Sequence, residues 1–418
     1  MTPSPHPVPP RVRSADQPTS APHREWLTRE RERLWAFGGG SADPGGGFAW
    51  LDADGRPERG RPVETWVTCR MTHVAALEVL AGRTDAEEVL DHGVRALETT
   101  LRDPEHDGWY AAVGPSGPVT TEKRAYEHAF VLLAAAGTRT AGHPRGGSLL
   151  DEAQRVFEQR FWSEAEGMVV EVWDRPWSAL EEYRGANANM HSVEALLAVH
   201  DVTGSAIALE QATRIAQRLV HEVARAHGWL MPEHFTPDWQ PLLDYNREEP
   251  AHPFRPYGAT VGHLLEWSRL ALHLRRAHGE SAPMWLLDDA RSLFDTAVRV
   301  GWNVDGAEGF VYTVDFAGTP VVRTRLHWVL AEGIAAACAL WAATGEQQYV
   351  DWYARWWDHA ERLFIDRERG SWRHELDPDN RPASTVWQGK PDIYHAYQAA
   401  LLPELGEITS FAGALSRR

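Results

Sequence analysis

Histidine and glutamate recur three residues apart in segments that are otherwise apolar. The segment 258–267 reads GATVGHLLEW and contains His263 and Glu266, and His191 is followed in the same way by Glu194. In a helix such a pair shares one face. A buried imidazole and carboxylate are costly unless they find partners or face a cleft. The spacing therefore predicts an acid/base site on a buried helix face, where Glu266 fixes the tautomer of His263 and raises its basicity.

An internal repeat determines where these segments fall. Six turn-like stretches share a glycine shortly before an aromatic or apolar residue, and these marker residues are Phe48, Trp109, Met168, Trp229, Phe310 and Trp372. The markers are about 60 residues apart, except for one interval of about 80, and each unit has room for two helices of about 15 residues. Helix pairs bury a face against their neighbours. The repeat predicts an all-α fold, an (α/α)6 toroid (barrel) of six helix pairs with short hairpin-like turns between repeats.

The second helix of each pair is apolar nearly all round, which predicts that it belongs to the inner ring. The inner helices are predicted at 66–81, 126–138, 188–203, 259–276, 326–344 and 392–403. Each carries a histidine at or close to its start: His73, His128, His191, His263, His327 and His395. Inner helices of a toroid run parallel, so we expect the six histidines to meet at one mouth. A helix N-terminus tends to keep an imidazole neutral. Two neutral imidazoles on opposite sides of a pocket can move a proton between adjacent carbons of a sugar.

Other residues near the helix starts have side chains suited to binding a sugar. The segment 387–395, WQGKPDIYH, ends on His395 and offers Trp387 as a stacking ring. The substrate-binding residues are predicted to be Arg70, Tyr126, Asn187, His191, Arg255, Glu332 and Trp387. Glu332 is a single acid on an apolar helix. The long segment around 234–254 is expected to form a loop over the mouth.

Composition narrows the class of protein. The 418 residues carry a formal charge of −17 and no basic block, which argues against nucleic acid as a partner. No uninterrupted apolar run approaches about 18 residues, and residues 1–22 lack the apolar core of a signal peptide. The two cysteines, Cys69 and Cys338, agree with a reducing compartment. We therefore expect a cytoplasmic protein without a membrane partner, either a monomer or a homodimer. Its predicted parts are a disordered N-terminal tail (1–22), one catalytic barrel (23–405) and a C-terminal tail (406–418).

Two other site chemistries fit the pattern less well. A zinc site is not favoured, because His-x-x-Glu differs from the His-Glu-x-x-His of zinc hydrolases and the histidines lie on different helices. An inverting glycoside hydrolase needs two carboxylates about 6.5–9.5 Å apart, whereas histidine occurs here in every repeat. A sugar-binding protein without catalysis is a further alternative. Neither a metal nor another cofactor is predicted.

Five segments resemble the N-acylglucosamine 2-epimerase superfamily, and most closely its branch of aldose–ketose isomerases, which includes mannose isomerase and sulfoquinovose isomerase-like enzymes. They are TCRMTH with Arg70, NANMHSVEALL at 187–197, GHLLEW at 262–267, HWVLAEG at 327–333 and WQGKPDIYHAYQA at 387–399. The resemblance implies an (α/α)6 barrel that acts on a monosaccharide without a cofactor. It also implies that His263 and His395 are the acid/base pair, with Glu266 supporting His263. By the same resemblance Arg70, Tyr126, Asn187, His191 and Glu332 line the pocket.

The reaction that this resemblance implies is isomerisation of an aldose to a ketose. D-Mannose, or a related aldose such as lyxose, would be converted to a D-fructose-type ketose by proton transfer through a cis-enediol. One of the two histidines would help to open the sugar ring, and the other would remove the C2 proton and return it at C1. The resemblance leaves this division open, and we favour His263 for ring opening and His395 for the proton at C2. The nearest alternative is a 2-epimerase that acts on N-acylglucosamine or on a disaccharide such as cellobiose. An (α/α)6 glycoside hydrolase is a more distant one.

Overall fold

The computed structural model describes residues 18–418, so most of the predicted N-terminal tail, residues 1–17, lies outside the described residues. The helices are α1 (Ala21–Gly38), α2 (Thr65–Leu80), α3 (Ala86–Glu98), α4 (Ala125–Thr140), α5 (Gly146–Val156), α6 (Ala186–Thr203), α7 (Ala206–Ala216), α8 (Val261–His278), α9 (Trp285–Gly301), α10 (His327–Thr344), α11 (Gln347–His359), α12 (Tyr394–Leu405) and α13 (Phe411–Ser416). π-Helical segments continue α5, α7 and α11 at Phe157–Phe161, Gln217–Ala224 and Ala360–Phe364.

The even-numbered helices α2 to α12 form an inner ring, and the odd-numbered helices α1 to α11 surround it. Each inner helix packs on the next inner helix, and α12 packs on α2 to close the ring. The outer helix that follows each of the first five inner helices in the chain pairs with it, and α1 pairs with α12. The predicted all-α (α/α)6 toroid of six helix pairs is confirmed. The last pair consists of α1 and α12. Arg31 of α1 donates a hydrogen bond to the Ala400 carbonyl of α12 and forms an ion pair with Glu404 at 2.7 Å.

Short strands hold the inner helices in place. They are β1 (Val63–Glu64), β2 (Ala112–Gly114), β3 (Gly117–Thr120), β4 (Lys123–Arg124), β5 (Trp162–Ser163), β6 (Met168–Val169), β7 (Val172–Trp173), β8 (Arg184–Gly185), β9 (His234–Phe235), β10 (Ala259–Thr260), β11 (Thr313–Val314), β12 (Pro320–Val322), β13 (Arg325–Leu326) and β14 (Glu375–Leu376). A two-residue strand precedes each of α2, α4, α6, α8 and α10. It pairs antiparallel with a strand from the turn of its repeat, as β8 pairs with β9 and β13 with β14. These pairings bring the residues of the turns to the N-terminal ends of the inner helices.

Burial explains why the inner helices are apolar on every side. In α2 all residues from Thr65 to Glu78 are buried, since each inner helix contacts two inner neighbours and an outer partner. Among the described helices α10 alone is long and apolar enough to cross a membrane by length and composition, and 72% of it is buried inside the protein. Such composition is typical of a core helix. The helix starts lie within a few residues of those predicted, because a pattern without a polar face marks the buried segment directly.

The last residues of the chain close the opposite end of the barrel. Residues 406–418, predicted as a tail, contain α13, which packs on α2, α4 and α6. Ser410 and Arg417 both bind Asp201 of α6, at 2.7 Å in each case. Phe411 is buried. Six residues give too weak a periodic signal to predict a helix, and tertiary contacts hold this one. At the other end of the chain α1 begins at Ala21, two residues inside the predicted tail.

Candidate active site

A cavity lies at the N-terminal ends of the inner helices. Clefts between the helices of a bundle are places where small molecules commonly bind. Eight of the ten residues predicted for the site line it: Arg70, Tyr126, Asn187, His191, His263, Glu266, Trp387 and His395. Glu332 lies directly behind His395, and Arg255 lies elsewhere. The parallel inner helices thus bring residues from all six repeats to one mouth.

His395 is held by a buried carboxylate on the neighbouring inner helix. Its Nδ1 lies 2.8 Å from Oε1 of Glu332, whose other oxygen accepts from Nε of Arg269 at 2.9 Å. Burial alone would raise the pKa of Glu332, but Arg269 and His395 hold it below its ordinary value. Burial lowers the pKa of His395, although Glu332 opposes this effect. His395 is therefore neutral at physiological pH, with its Nδ1 proton directed to Glu332 and Nε2 left to accept a proton.

His263 has a similar arrangement with a different carboxylate from the one predicted. Its Nδ1 lies 2.9 Å and 3.0 Å from the two oxygens of Glu233. Glu233 is the residue before β9, in the turn that precedes α8. The prediction that Glu266 orients His263 is wrong, because side chains at i and i+3 on one helix face point into the cavity side by side, whereas Glu233 approaches the ring from behind. Glu233 and His263 are both buried.

Glu266 lines the cavity as a separate group. One of its oxygens lies 3.8 Å from Nδ1 of His191 and 3.5 Å from Arg269. Burial raises the pKa of Glu266 well above its ordinary value, and the nearby carboxylates of Glu332 and Glu194 raise it further against the opposing effect of Arg269. These surroundings favour the protonated form of Glu266, and in that form it can donate a hydrogen bond to the cavity.

Two of the six histidines do not reach the mouth, so the prediction that all six converge there is wrong. His73 lies two turns into α2 and lines a second, smaller cavity with Glu194 and His273. His128 is buried away from the mouth, against the rings of Trp109 and Phe161. Its Nδ1 contacts the Arg124 carbonyl at 2.7 Å, and its Nε2 accepts from the main-chain N–H of Trp109 at 3.2 Å. Histidines placed at slightly different depths along a helix face different neighbours, because each residue turns the side chain by about 100°.

Arg70 and a group of aromatic rings shape the rest of the cavity. Arg70 donates to Asp392 at 3.2 Å and to the Tyr126 hydroxyl at 3.1 Å. Phe254, from the predicted loop over the mouth, makes edge contacts with Tyr126 and Trp387, with ring centroids 5.5 Å and 5.6 Å apart. The segment 234–254 therefore does reach the mouth, where Phe254 and the neighbouring Pro253 line the cavity.

Arg255 was predicted to bind substrate, but its side chain turns away from the cavity. It forms two hydrogen bonds with Glu181, at 2.8 Å and 2.9 Å, and lies over the ring of Tyr183. This pair lines an adjoining groove that shares Tyr126 and Asn187 with the cavity. Its carboxylate partner, seventy-odd residues earlier in the chain, could not be inferred from local spacing.

Local spacing also failed to indicate three residues: Tyr312 and His374, which line the cavity, and Glu233, which holds His263 from behind. Each comes just before the strand that pairs with the start of an inner helix. The main-chain carbonyl of each accepts from the N–H at the start of the corresponding inner segment: Ala186 to Glu233, Val261 to Tyr312 and His327 to His374. An alignment of the turns on their markers places Tyr312 and His374 in one column, two residues after Phe310 and Trp372, but it does not find Glu233, which is four residues after Trp229.

Among residues 18–418, two groups of side chains lie close enough to share a metal ion: His191, Glu194 and Glu266, and Glu266, Glu332 and His395. In the second group Arg269 contacts both carboxylates, so the chain itself supplies the cation. In the first group His191 and Glu194 are 3.5 Å apart and form an ion pair when His191 is protonated. Burial lowers the pKa of His191 to about 4, which leaves it neutral near pH 7.

Comparison with known proteins agrees with this architecture. The profile of the N-acylglucosamine 2-epimerase (GlcNAc 2-epimerase) family matches residues 46–399. A D-mannose isomerase of Thermobifida fusca is 55% identical over 398 residues, which cover 95% of this chain and 98% of that protein. A D-mannose isomerase of Pseudomonas cannabina pv. alisalensis is 51% identical over 401 residues, covering 95% and 96%. A crystal structure of a D-mannose isomerase superposes with a TM-score of 0.85 at 28% identity, over 91% of this chain and 97% of the other.

Proposed function

The chain belongs to the N-acylglucosamine 2-epimerase family, and from this premise we propose that it is an aldose–ketose isomerase that interconverts D-mannose and D-fructose. The observation that carries the proposal is the pair of imidazoles facing one cavity, His263 and His395, each with its Nδ1 held by its own buried carboxylate. Both rings pack on Trp328, with centroids 5.3 Å and 5.8 Å from it. Related aldoses such as lyxose belong to the same proposed substrate class.

In the proposed reaction one histidine opens the pyranose ring and the other transfers a proton from C2 to C1 of the sugar. His263 transfers a proton between the ring oxygen and the C1 oxygen, so that the pyranose opens to the free aldehyde. Neutral His395 then takes the C2 proton at Nε2, and a proton moves to the C1 oxygen, which gives the cis-enediol. Return of a proton from His395 to C1, with loss of a proton from the C2 oxygen, forms the ketose. Atoms and charge balance without an oxidant.

Glu266 has a role of its own in this proposal. Its surroundings raise its pKa and so favour the carboxylic acid, which in this proposal donates a hydrogen bond to a sugar oxygen that gains negative charge during enediol formation. Arg70 lies nearby as a permanent cation. Its guanidinium is already held by Asp392 and Tyr126, which keeps it in a defined position. Stabilisation by such preorganised groups complements proton transfer by the histidines.

The polar atoms around the cavity support a monosaccharide as substrate. Oδ1 of Asn187, Nε1 of Trp387 and Nε of Arg70 are buried without a hydrogen-bond partner. A bound polyol offers hydroxyl groups that both donate and accept. The aromatic rings of Phe254, Trp66 and Trp387 contact one another over the mouth, which favours a single sugar ring over a disaccharide.

Incubation of the purified protein with D-mannose in deuterated water tests the proposal. We expect D-fructose to form, with solvent deuterium at C1 of the ketose and at C2 of the recovered mannose, because a proton held on an imidazole exchanges with water. Sugar analysis and mass spectrometry measure both results. Glucose, cellobiose and N-acetylmannosamine serve as parallel substrates.

Formation of an epimer from cellobiose or N-acetylmannosamine, without ketose from mannose, would assign the site to 2-epimerisation instead. Release of reducing ends from an oligosaccharide would indicate hydrolysis. Binding of mannose without turnover would contradict an enzymatic role for the cavity.

Replacing Glu233 with glutamine tests which carboxylate positions His263. We expect kcat for mannose to fall about tenfold to hundredfold, a part of the 10²–10⁴ that a positioned acid/base group contributes, because an amide can present its N–H to Nδ1 and favour the other tautomer. Imidazole ¹⁵N chemical shifts measure the tautomer of His263 directly.

Glu266→Gln is the matched control for this variant. It is expected to lower activity while the ¹⁵N shifts of His263 stay as in the wild type. If Glu266→Gln changes the tautomer and Glu233→Gln does not, the pairing predicted from helix spacing is right and the positioning role of Glu233 is refuted.

We also propose that the barrel is one catalytic domain that works in the cytoplasm as a monomer or homodimer. Both cysteines are buried and unpaired, which agrees with a reducing compartment.

A further inference from the structure

Two stacked histidines form one wall of the cavity and take no part in the proton transfers proposed above. His327 is the first residue of α10. His374 is the residue before β14, the strand that pairs with β13 at the start of α10. Their ring centroids are 3.7 Å apart, and the ring planes are 20° from parallel. Both side chains are about 95% buried, with exposed fractions of 5% and 6%, and both line the cavity.

The main chain determines the tautomer of His327. Its Nδ1 faces the carbonyl oxygen of His374 at 3.4 Å. Because a carbonyl only accepts, the ring proton belongs on the nitrogen that faces it, and Nε2 of His327 is then an unprotonated acceptor. Within the described part of the chain, neither this nitrogen nor Nε2 of the stacked His374 has a hydrogen-bond partner.

Both rings remain neutral near pH 7. Burial lowers the pKa of His327 to about 3, with a further contribution from His395. Burial also places the pKa of His374 well below its ordinary value, and the adjacent imidazole of His327 and the cation of Lys390 act in the same direction. Protonation therefore does not satisfy the two bare nitrogens. They require hydrogen-bond partners from outside the protein chain, since an unpaired buried polar atom carries a desolvation cost.

Resting on the proposed isomerase activity, we propose that Nε2 of His327 and Nε2 of His374 accept hydrogen bonds from hydroxyl groups of the bound aldose that are not on the reacting carbons. The pair selects sugars that present O–H donors at this wall. His327 lies 6.5 Å from the ring of His395, centroid to centroid, so the hydroxyls it contacts are close to the reacting end yet separate from it. A sugar that lacks the O–H facing these histidines, because of deoxygenation or O-methylation, leaves the acceptors unpaired.

The test compares D-mannose with its 3-, 4- and 6-deoxy and O-methyl derivatives, in the wild type and in His374→Phe and His327→Phe. Phenylalanine keeps a flat ring in the stack and removes the acceptor. In the wild type we expect kcat/KM to fall about tenfold or more for at least one deoxy sugar and for its O-methyl counterpart. In at least one variant the ratio of kcat/KM for mannose to kcat/KM for that deoxy sugar should fall below about threefold. The same variant should have a kcat/KM for mannose about tenfold lower than the wild type, mainly because KM rises.

Two controls keep the result specific. His359→Phe replaces a buried histidine on α11 outside the cavity, and it should leave the discrimination unchanged. His374→Gln retains an acceptor and should recover part of the wild-type selectivity. The proposal is overturned if folded His374→Phe and His327→Phe both discriminate among the sugars as the wild type does. Failure of the proposed function is recognised separately, because the wild type would then make no ketose from mannose at all, and this outcome overturns both.

Discussion

Replacing His395 with asparagine is expected to lower kcat for mannose isomerisation by about 10²–10⁴-fold, the contribution of a positioned general base. Asparagine fills part of the same space and can still bond to Glu332, but it cannot take a proton from carbon. Solvent deuterium should enter mannose at C2 more slowly by the same factor. Steady-state kinetics and mass spectrometry of the recovered sugar measure the two effects.

His221→Asn provides a matched control for this variant. His221 also pairs with a carboxylate, that of Asp289 at 2.8 Å, but it lies outside the cavity. Its replacement should leave kcat unchanged. In the wild type kcat/KM should decrease on the acidic side of its pH profile with a midpoint below pH 6.5, the ordinary imidazole value. The reason is that burial lowers the pKa of His395 and only the neutral ring is a base. Folded His395→Asn with kcat within threefold of the wild type would show that another group removes the proton.

Replacing Arg269 with methionine is expected to destabilise the protein by about 3–5 kcal/mol, the typical cost of removing one partner of a buried ion pair. Arg269 is 1% exposed and contacts the carboxyl groups of Glu332 and Glu266. Without its charge Glu332 remains buried with only the hydrogen bond from His395. Methionine preserves most of the side-chain volume, so the loss in the free energy of unfolding reflects the removed charge more than lost packing. Chemical denaturation followed by fluorescence of the many tryptophans measures the change.

The exposed pair Arg29 and Glu25 offers the corresponding control. Its side chains are 58% and 71% exposed, and Arg29→Met should change stability by less than about 1 kcal/mol. Equal effects of the two substitutions would mean that Arg269 stabilises the barrel no more than a surface charge does. A folded Arg269→Met protein is also expected to lose activity, because Glu332 is the group that orients His395.

The fold was predictable because its signal is repeated and local. Six turns at nearly regular intervals and six helices without a polar face are properties of short windows, and each window reports its own burial. The predicted helix starts therefore fall close to the observed ones, and the positions of His191, His263 and His395 at the mouth follow from them. The short helix α13 has too few residues for such a signal, and only its contacts with α2, α4 and α6 hold it.

Tertiary contacts alone determine which carboxylates pair with the imidazoles of His263 and His395. Spacing along one helix pointed to Glu266 for His263, yet Glu233 holds that ring, 30 residues away in the chain. Glu332 holds His395 across 63 residues. In the same way His374 reaches His327 only because β13 and β14 pair. The ring of helices, and the histidines near the starts of α6, α8, α10 and α12, could be predicted from the sequence because periodicity is a property of neighbouring residues. Which carboxylate lies behind each imidazole depends on how adjacent repeats pack. The distance between imidazole and carboxylate is set only when the ring of helices closes.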